Sequence, residues 1–169
     1  QSDTKIPLVV MTVTNNTGGG QPVSFANLEA AAKLCKKYKK LFVLDACRFA
    51  ENSYFIKLRE PGFENASPSE IAKKCFALCD AITFSGKKDA LVNIGGLLCV
   101  RDKALGETLK NKMLVVEGFP TYGGLAGYSI AAMNQGLREV VDEKYLEYRL
   151  RTISWTVERL KQAGVPVLQ

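Results

Sequence analysis

The sequence predicts an α/β fold, a mostly parallel sheet flanked by helices, and three observations predict it. Short β-rich apolar runs recur at Pro7–Val13, Leu41–Asp45, Ile82–Phe84 and within Val92–Arg101. The segments between them carry helical spacing and helix-start signals, and this alternation builds parallel sheets. With 169 residues and 47% hydrophobic composition, a single segment with a sizeable core is expected.

Taken in order, Pro7–Val13 forms the first strand and runs into the Gly-rich turn Asn15–Gly20. Ser24 is a good N-cap for an amphipathic helix to about Lys37, with Leu28, Ala31, Ala32 and Cys35 at helical spacing. Leu41–Asp45 supplies the second strand, and Ala50 to Arg59 reads as helical. Ser67-Pro68-Ser69-Glu70 combines a capping box with proline at the first helical position, so a helix runs from there to Leu78. Ile82–Phe84 is the third strand. The fourth lies within Val92–Arg101, where Gly95-Gly96 marks a bulge or a close backbone approach. A short helix at Ala104–Leu109 and a strand at Met113–Val116 are expected next. Leu146, Leu150, Ile153, Val157 and Leu160 make one apolar stripe on a long helix, Glu143–Ala163, stopped by Gly164 and Pro166. The closing Val165–Leu168 reads as β-like with nothing after it to pair with, which suggests a piece of a larger protein.

Composition narrows the chemistry. There is no run of roughly 18 apolar residues and no secretory leader pattern, so a cytoplasmic protein without a membrane partner is expected. Five cysteines are an odd number in a chain too large to need staples, which favours free thiols. Cys75 and Cys79 lie one helical turn apart, but with no histidine and no second pair they argue against a zinc site. The lack of histidine also excludes Ser-His-Asp triads, Cys-His pairs and HExxH sites. Acid–base work falls to Lys, Asp, Glu, Tyr or Cys. The net charge of +6 is concentrated partly in Lys36–Lys40, but that run closes a helix, where the macrodipole favours cations. It has no aromatic stacking pattern, so no nucleic-acid partner is expected.

Two strand ends carry candidate chemistry: Asp45 closes one apolar run, and Lys88 follows another in Thr83-Phe84-Ser85-Gly86-Lys87-Lys88-Asp89. Ligands of α/β sheets bind at such ends. A Schiff-base lysine with a pyridinium-binding aspartate is the pair that pyridoxal phosphate enzymes use.

Longer motifs extend this pair: Gly19-Gly20-Gln21-Pro22-Val23-Ser24, Asp45-Ala46-Cys47-Arg48, Ala50-Glu51-Asn52-Ser53-Tyr54-Phe55-Ile56, Ser85-Gly86-Lys87-Lys88-Asp89, Asn93-Ile94-Gly95-Gly96 and Pro120-Thr121-Tyr122-Gly123-Gly124-Leu125. Through them, over nearly its whole length, the chain resembles the tryptophanase and tyrosine phenol-lyase family of β-eliminating lyases, pyridoxal phosphate enzymes of fold type I. The resemblance implies that residues 1–140 are part of the large cofactor-binding domain. It implies also that the helix at 143–163 leads toward a small C-terminal domain absent from this sequence.

The resemblance also assigns roles. Lys88 forms the Schiff base with pyridoxal phosphate and, once freed, moves the substrate Cα proton. Asp45 keeps the pyridine nitrogen protonated, Arg48 helps to set the cofactor's protonation state, and Asn16 lies near the phenolic oxygen and the substrate carboxylate. Ser85 bonds the phosphate. Lys87, which on extended backbone would point away from Lys88, supports charge near the phosphate or the cation. Tyr122 approaches the neighbouring subunit's site, and the Asn93 carbonyl contributes to a monovalent-cation site, normally potassium. The implied substrate is an aromatic amino acid and the implied full-length protein a homo-oligomer, dimer or tetramer.

The chain departs from the family at Cys47, where threonine is common. It also lacks the ring-stacking aromatic and the carboxylate-gripping arginine, which the family carries outside this segment. Gly86 and Leu91-Val92-Asn93 look like tyrosine phenol-lyase, whereas Glu117–Tyr122 looks like tryptophanase. The balance favours tryptophan, cleaved to indole, pyruvate and ammonia. The alternative of another class is a non-catalytic truncated relative, serving as an α/β scaffold or interaction module.

Overall fold

A computed structural model describes residues 5–167. The chain runs β1 (Leu8–Thr12), α1 (Phe25–Lys37), β2 (Leu41–Asp45), α2 (Phe49–Arg59), α3 (Pro68–Ala77), β3 (Ala81–Ser85), β4 (Gly96–Val100), α4 (Lys103–Val116), α5 (Gly127–Glu139) and α6 (Glu143–Gln162). Single 3-10 turns lie at Asn16–Gly18 and Pro120–Tyr122.

Helix starts follow from side chains that satisfy the orphan N–H groups of a first turn. The Ser24 hydroxyl accepts from the Asn27 N–H at 3.1 Å, and the Glu60 carboxylate accepts from the Phe25 N–H at 2.7 Å. The expected capping box forms at α3: Glu70 N–H donates to Ser67 Oγ at 3.3 Å, and Ser67 N–H donates to Glu70 Oε2 at 2.8 Å. Asp102 and Asp142 cap α4 and α6 in the same way.

The sheet order is β1-β2-β3-β4; β1, β2 and β3 are parallel, and β4 is antiparallel to β3. Thr12, Asp45 and Thr83 stand side by side in register, which aligns the C-terminal ends of three strands. Because β4 runs the other way, its first residue, Gly96, pairs with Ser85 at that same edge.

Alternation along a strand sorts side chains onto two faces. Phe42 and Leu44, each 1% exposed, point into a core built with Leu28 of α1, Ile56 of α2 and Ile71 of α3. Burial of each such side chain contributes about 2 kcal/mol. The opposite face carries Leu41, Val43 and Asp45 of β2 beside Leu8 and Val10 of β1, and there Val10 is 54% exposed. None of the helices among the described residues is long and apolar enough to cross a membrane.

The structure corrects two expectations, adds a helix the sequence did not announce and decides one open alternative. Met113–Val116 is not a strand but the last turn of α4, which runs on from the Asp102 cap without a break; the Glu117 N–H closes the ladder on the Met113 carbonyl at 2.8 Å. A run of four apolar residues fits either period, and the established helix decides between them. Residues 165–167 are not strand either. The Val165 N–H turns back to the Leu160 carbonyl at 3.0 Å, and Leu168 lies outside the described residues. Helix α5 had no sequence signal, since Ala126 provides no side-chain cap and Gly127 and Gly136 dilute its pattern. At Gly96 the two alternatives resolve to close approach: register with β3 is unbroken, and a Cβ there would come within 2.7 Å of the Phe84 carbonyl oxygen.

Candidate active site at the strand ends

The aligned C-terminal edge of β1, β2 and β3 gathers most of the residues singled out from the sequence. Asp45 ends β2, is half-buried, and lies on the face turned away from the helical core. Its Oδ1 accepts from the Cys47 N–H at 3.4 Å. Ser85 ends β3, and its carbonyl accepts the Lys88 N–H at 3.3 Å, which curls the chain into a turn. Lys87 and Lys88 therefore sit on a turn, not on the extended backbone expected. They still part company: Lys87 is exposed and Lys88 half-buried.

Cys47 ties the two strand ends together. Burial pushes its thiol up, a hydrogen bond to Asp45 and the charge of Asp45 push in the same direction, and the Ser85 backbone and the charge of Lys88 oppose them. One side chain thus senses Asp45, Ser85 and Lys88 at once. A thiol held above its ordinary range stays protonated and can donate to the Asp45 carboxylate.

Arg48 occupies the N-cap position of α2, half-buried. Its carbonyl accepts the Thr14 hydroxyl at 2.7 Å, joining the loop after β1 to the loop after β2. Thr14 is 2% exposed with φ +45°, a left-handed conformation uncommon for a β-branched residue and often found beside functional sites. Nothing in the sequence marked it. Asn16 is exposed in the 3-10 turn that follows.

Asn93 lies in the loop from β3 to β4 at the same edge, and Tyr122 lies in the 3-10 turn between α4 and α5. Leu125, three residues after Tyr122, is placed so that a Cβ on Gly95 would come within 3.1 Å of it. Tyr122 itself is 77% exposed, with its ring 5.4 Å from Phe119. Asn93 is exposed in a shallow depression shared with Leu91, Ile94 and Tyr128. Among the described residues the Lys88 backbone bonds run to Ser85 and Leu91, not to either of them.

Several motif residues are structural. Asn52 is 2% exposed and grips Val23 on both sides, accepting its N–H at 2.8 Å and donating to its carbonyl at 3.0 Å. Glu51 pairs with Arg149 of α6, and Lys57 pairs with Glu143 at 3.2 Å, so two ion pairs fasten α6 to α2. Asp89 is 3% exposed, and its carboxylate accepts the Ala50 N–H at 2.8 Å in the first turn of α2. Burial raises this carboxyl to about 7, with Glu51 adding to the rise; the Ala50 N–H, Arg149 and Arg48 oppose it.

The donor set fits pyridoxal phosphate. It offers a half-buried primary amine for an aldehyde, a carboxylate on the open face for a ring N–H, and a hydroxyl and an exposed ammonium for a phosphate. The cysteines are free thiols, and no group of three or more His, Cys, Asp or Glu among the described residues is arranged to hold a metal ion.

A sequence model of the family described as beta-eliminating lyase matches residues 1–169. A tryptophanase from Rhodobacter capsulatus is 54% identical over 165 residues, which is 98% of this chain and 36% of that protein. A tyrosine phenol-lyase from Intrasporangium calvum is 45% identical over 165 residues, again 98% of this chain and 35% of that one. The chain therefore spans little more than a third of the length of these relatives. Among solved structures, an apo methionine gamma lyase from Micromonospora echinospora aligns with 79% of this chain and 30% of its own, at 16% identity and a TM-score of 0.52. That is a likeness of fold.

Proposed function

The chain belongs to the beta-eliminating lyase family, and from that premise we propose that it is the cofactor-lysine portion of a pyridoxal phosphate lyase acting on an aromatic amino acid. The observation that carries this reading is the meeting of Asp45, Cys47, Ser85 and Lys88 at one strand edge. When bound, the cofactor supplies an electron sink for the pair left at the substrate's Cα.

The chain's own residues do the rest. The Lys88 amine would hold the cofactor and, once displaced by substrate, would be the base that takes the proton from Cα. The Asp45 carboxylate holds a proton at the ring nitrogen, which keeps the ring electron-poor. Arg48 adds positive charge near that region, Asn16 helps to orient the substrate carboxylate, and Ser85 with Lys87 binds the phosphate. Protonation of the aromatic ring at its attachment carbon turns it into a leaving group, and Tyr122 is assigned to the neighbouring subunit's site in a cytoplasmic homo-oligomer. The Asn93 carbonyl is assigned to a potassium ion.

Tryptophan is the favoured substrate, with indole, pyruvate and ammonia as products. The higher identity to a tryptophanase than to a tyrosine phenol-lyase, 54% against 45%, supports that preference. The test uses the full-length protein that carries this sequence. Borohydride reduction and peptide mapping should place the pyridoxyl group on Lys88, and pyruvate release should be faster from tryptophan than from tyrosine. An adduct on Lys87, or on neither lysine, overturns the assignment.

A further inference from the structure

The turn that carries Lys88 is closed at its base and gripped on two sides. At the base, the Gly86 N–H donates to the Gly95 carbonyl at 2.8 Å, and a Cβ on Gly86 would come within 2.9 Å of the Val92 side chain and 3.0 Å of that same Gly95 oxygen. The turn cannot slide along β4 without breaking this packing. Leu91 closes it with φ +57°, its N–H bonded to the Lys88 carbonyl at 3.1 Å.

On one side stands α2. Asp89, next in sequence to Lys88, is buried and accepts the Ala50 N–H, a donor that has no partner within its own helix. On the other side stands α5. Ala90 is fully buried, and Gly136 of α5 lies so close that a Cβ there would overlap the Ala90 carbonyl oxygen and come within 2.6 Å of its carbon. One turn earlier in α5, Met133 is 6% exposed and sits where a Cβ on Gly95 would meet its sulfur at 3.4 Å. Helix α5 therefore presses on both ends of the segment, at Ala90 and at Gly95.

We propose that Asp89 and Gly136 are positioning residues for the Lys88 amine, forming a two-sided clamp that holds its turn between the N-terminus of α2 and the flank of α5. Both residues are buried, and each acts through the backbone of the Lys88 turn. The inference rests on the reading of Lys88 as the cofactor lysine. Fixed placement is what makes a lysine selective, because a displacement of about 1 Å costs on the order of a hundredfold in reactivity.

The experiment measures selectivity rather than turnover. Full-length protein is mixed with limiting pyridoxal phosphate and reduced with borohydride, and the ratio of pyridoxyl on Lys88 to that on Lys87 is read by peptide mapping, with thermal unfolding measured in parallel. Wild type with no adduct on Lys88 refutes the cofactor-lysine reading itself. Given a Lys88 adduct in wild type, Asp89→Ala and Gly136→Ala should each lower the ratio by about tenfold or more. Asp89→Asn, which keeps an acceptor for the Ala50 N–H, should stay within about threefold of wild type. A purely structural role would lower the unfolding temperature and leave the ratio alone. An unchanged ratio in Asp89→Ala or in folded Gly136→Ala overturns the proposal, as does an equal loss in Asp89→Asn and Asp89→Ala. If Gly136→Ala does not fold, the Asp89 pair decides.

Discussion

The buried Asp89 carboxyl makes stability depend on pH in a direction opposite to most carboxylates. Its proton is held up to about 7 in the folded chain, against about 3.9 in an unfolded one. Between those values the folded state binds a proton that the unfolded state has released, so stability falls as pH rises. The contribution is whole below about pH 4 and is gone once pH has risen through about 7. About three pH units at about 1.36 kcal/mol each give about 4 kcal/mol as an upper figure. At 3% exposure, solvent screening takes little of it away. Asp89→Asn removes the titration and keeps the acceptor for Ala50. In full-length protein, urea unfolding of wild type and variant at several pH values isolates the effect. The stability of wild type minus that of Asp89→Asn should fall by about 1.4 kcal/mol per pH unit across the middle of the window and level off above about pH 7.5. A difference that is flat between pH 4.5 and about pH 8 refutes the reasoning.

Other consequences are simpler to check. Asp45→Ala in full-length protein should keep its fold and lose most of the elimination rate; turnover within about threefold of wild type, under roughly 0.7 kcal/mol of barrier, would dismiss Asp45 as the ring-nitrogen partner. Burial pushes the Cys75 thiol up to about 12 and Cys79 to about 11, so iodoacetamide at neutral pH should label exposed Cys99 first and leave that pair untouched until unfolding. Mass mapping that finds Cys75 labelled early would contradict this. Ser67→Ala should cost about 1 kcal/mol in denaturant melts through loss of the capping box. The isolated 169-residue chain exposes Val10, Tyr148 and Trp155 at 54%, 70% and 63%. It should self-associate in sedimentation velocity and release no pyruvate from tryptophan; a monomer with sustained turnover would show that the essential groups lie within it.

Strands and capped helices were legible because each is written in neighbouring residues. Ser24 and Ser67 announce their caps within a few positions, and strand ends such as Asp45 follow from where the apolar runs stop. Long motifs located Lys88 for the same reason. What stayed hidden depends on contacts between distant segments. Helix α5 has glycines where a helix pattern wants larger residues, and Gly136 is there because the Ala90 backbone leaves no space for a Cβ. The left-handed Thr14 is held by a bond to Arg48, 34 positions away. Asp89 reads as a polar turn residue until α2 is folded over it. The antiparallel course of β4 is likewise set by pairing, not by its five residues.

The same motifs divide into two sets by what their side chains face. Asp45, Ser85 and Lys88 end or follow strands at one edge, and Asp45 lies on the face away from the core, where a ligand can reach it. Asn52, Glu51 and Asp89 face inward, their polar atoms spent on Val23, Arg149 and Ala50. Residues of the first set have weak packing roles, so replacing them should remove chemistry at little cost in stability. Residues of the second set satisfy buried partners, and an unmet buried group costs about 1–3 kcal/mol. Within one short motif such as Ser85-Gly86-Lys87-Lys88-Asp89, adjacent positions therefore fail in different ways. Lys88 should fail as chemistry and Asp89 as placement, which is why stability must be measured beside activity when either is changed.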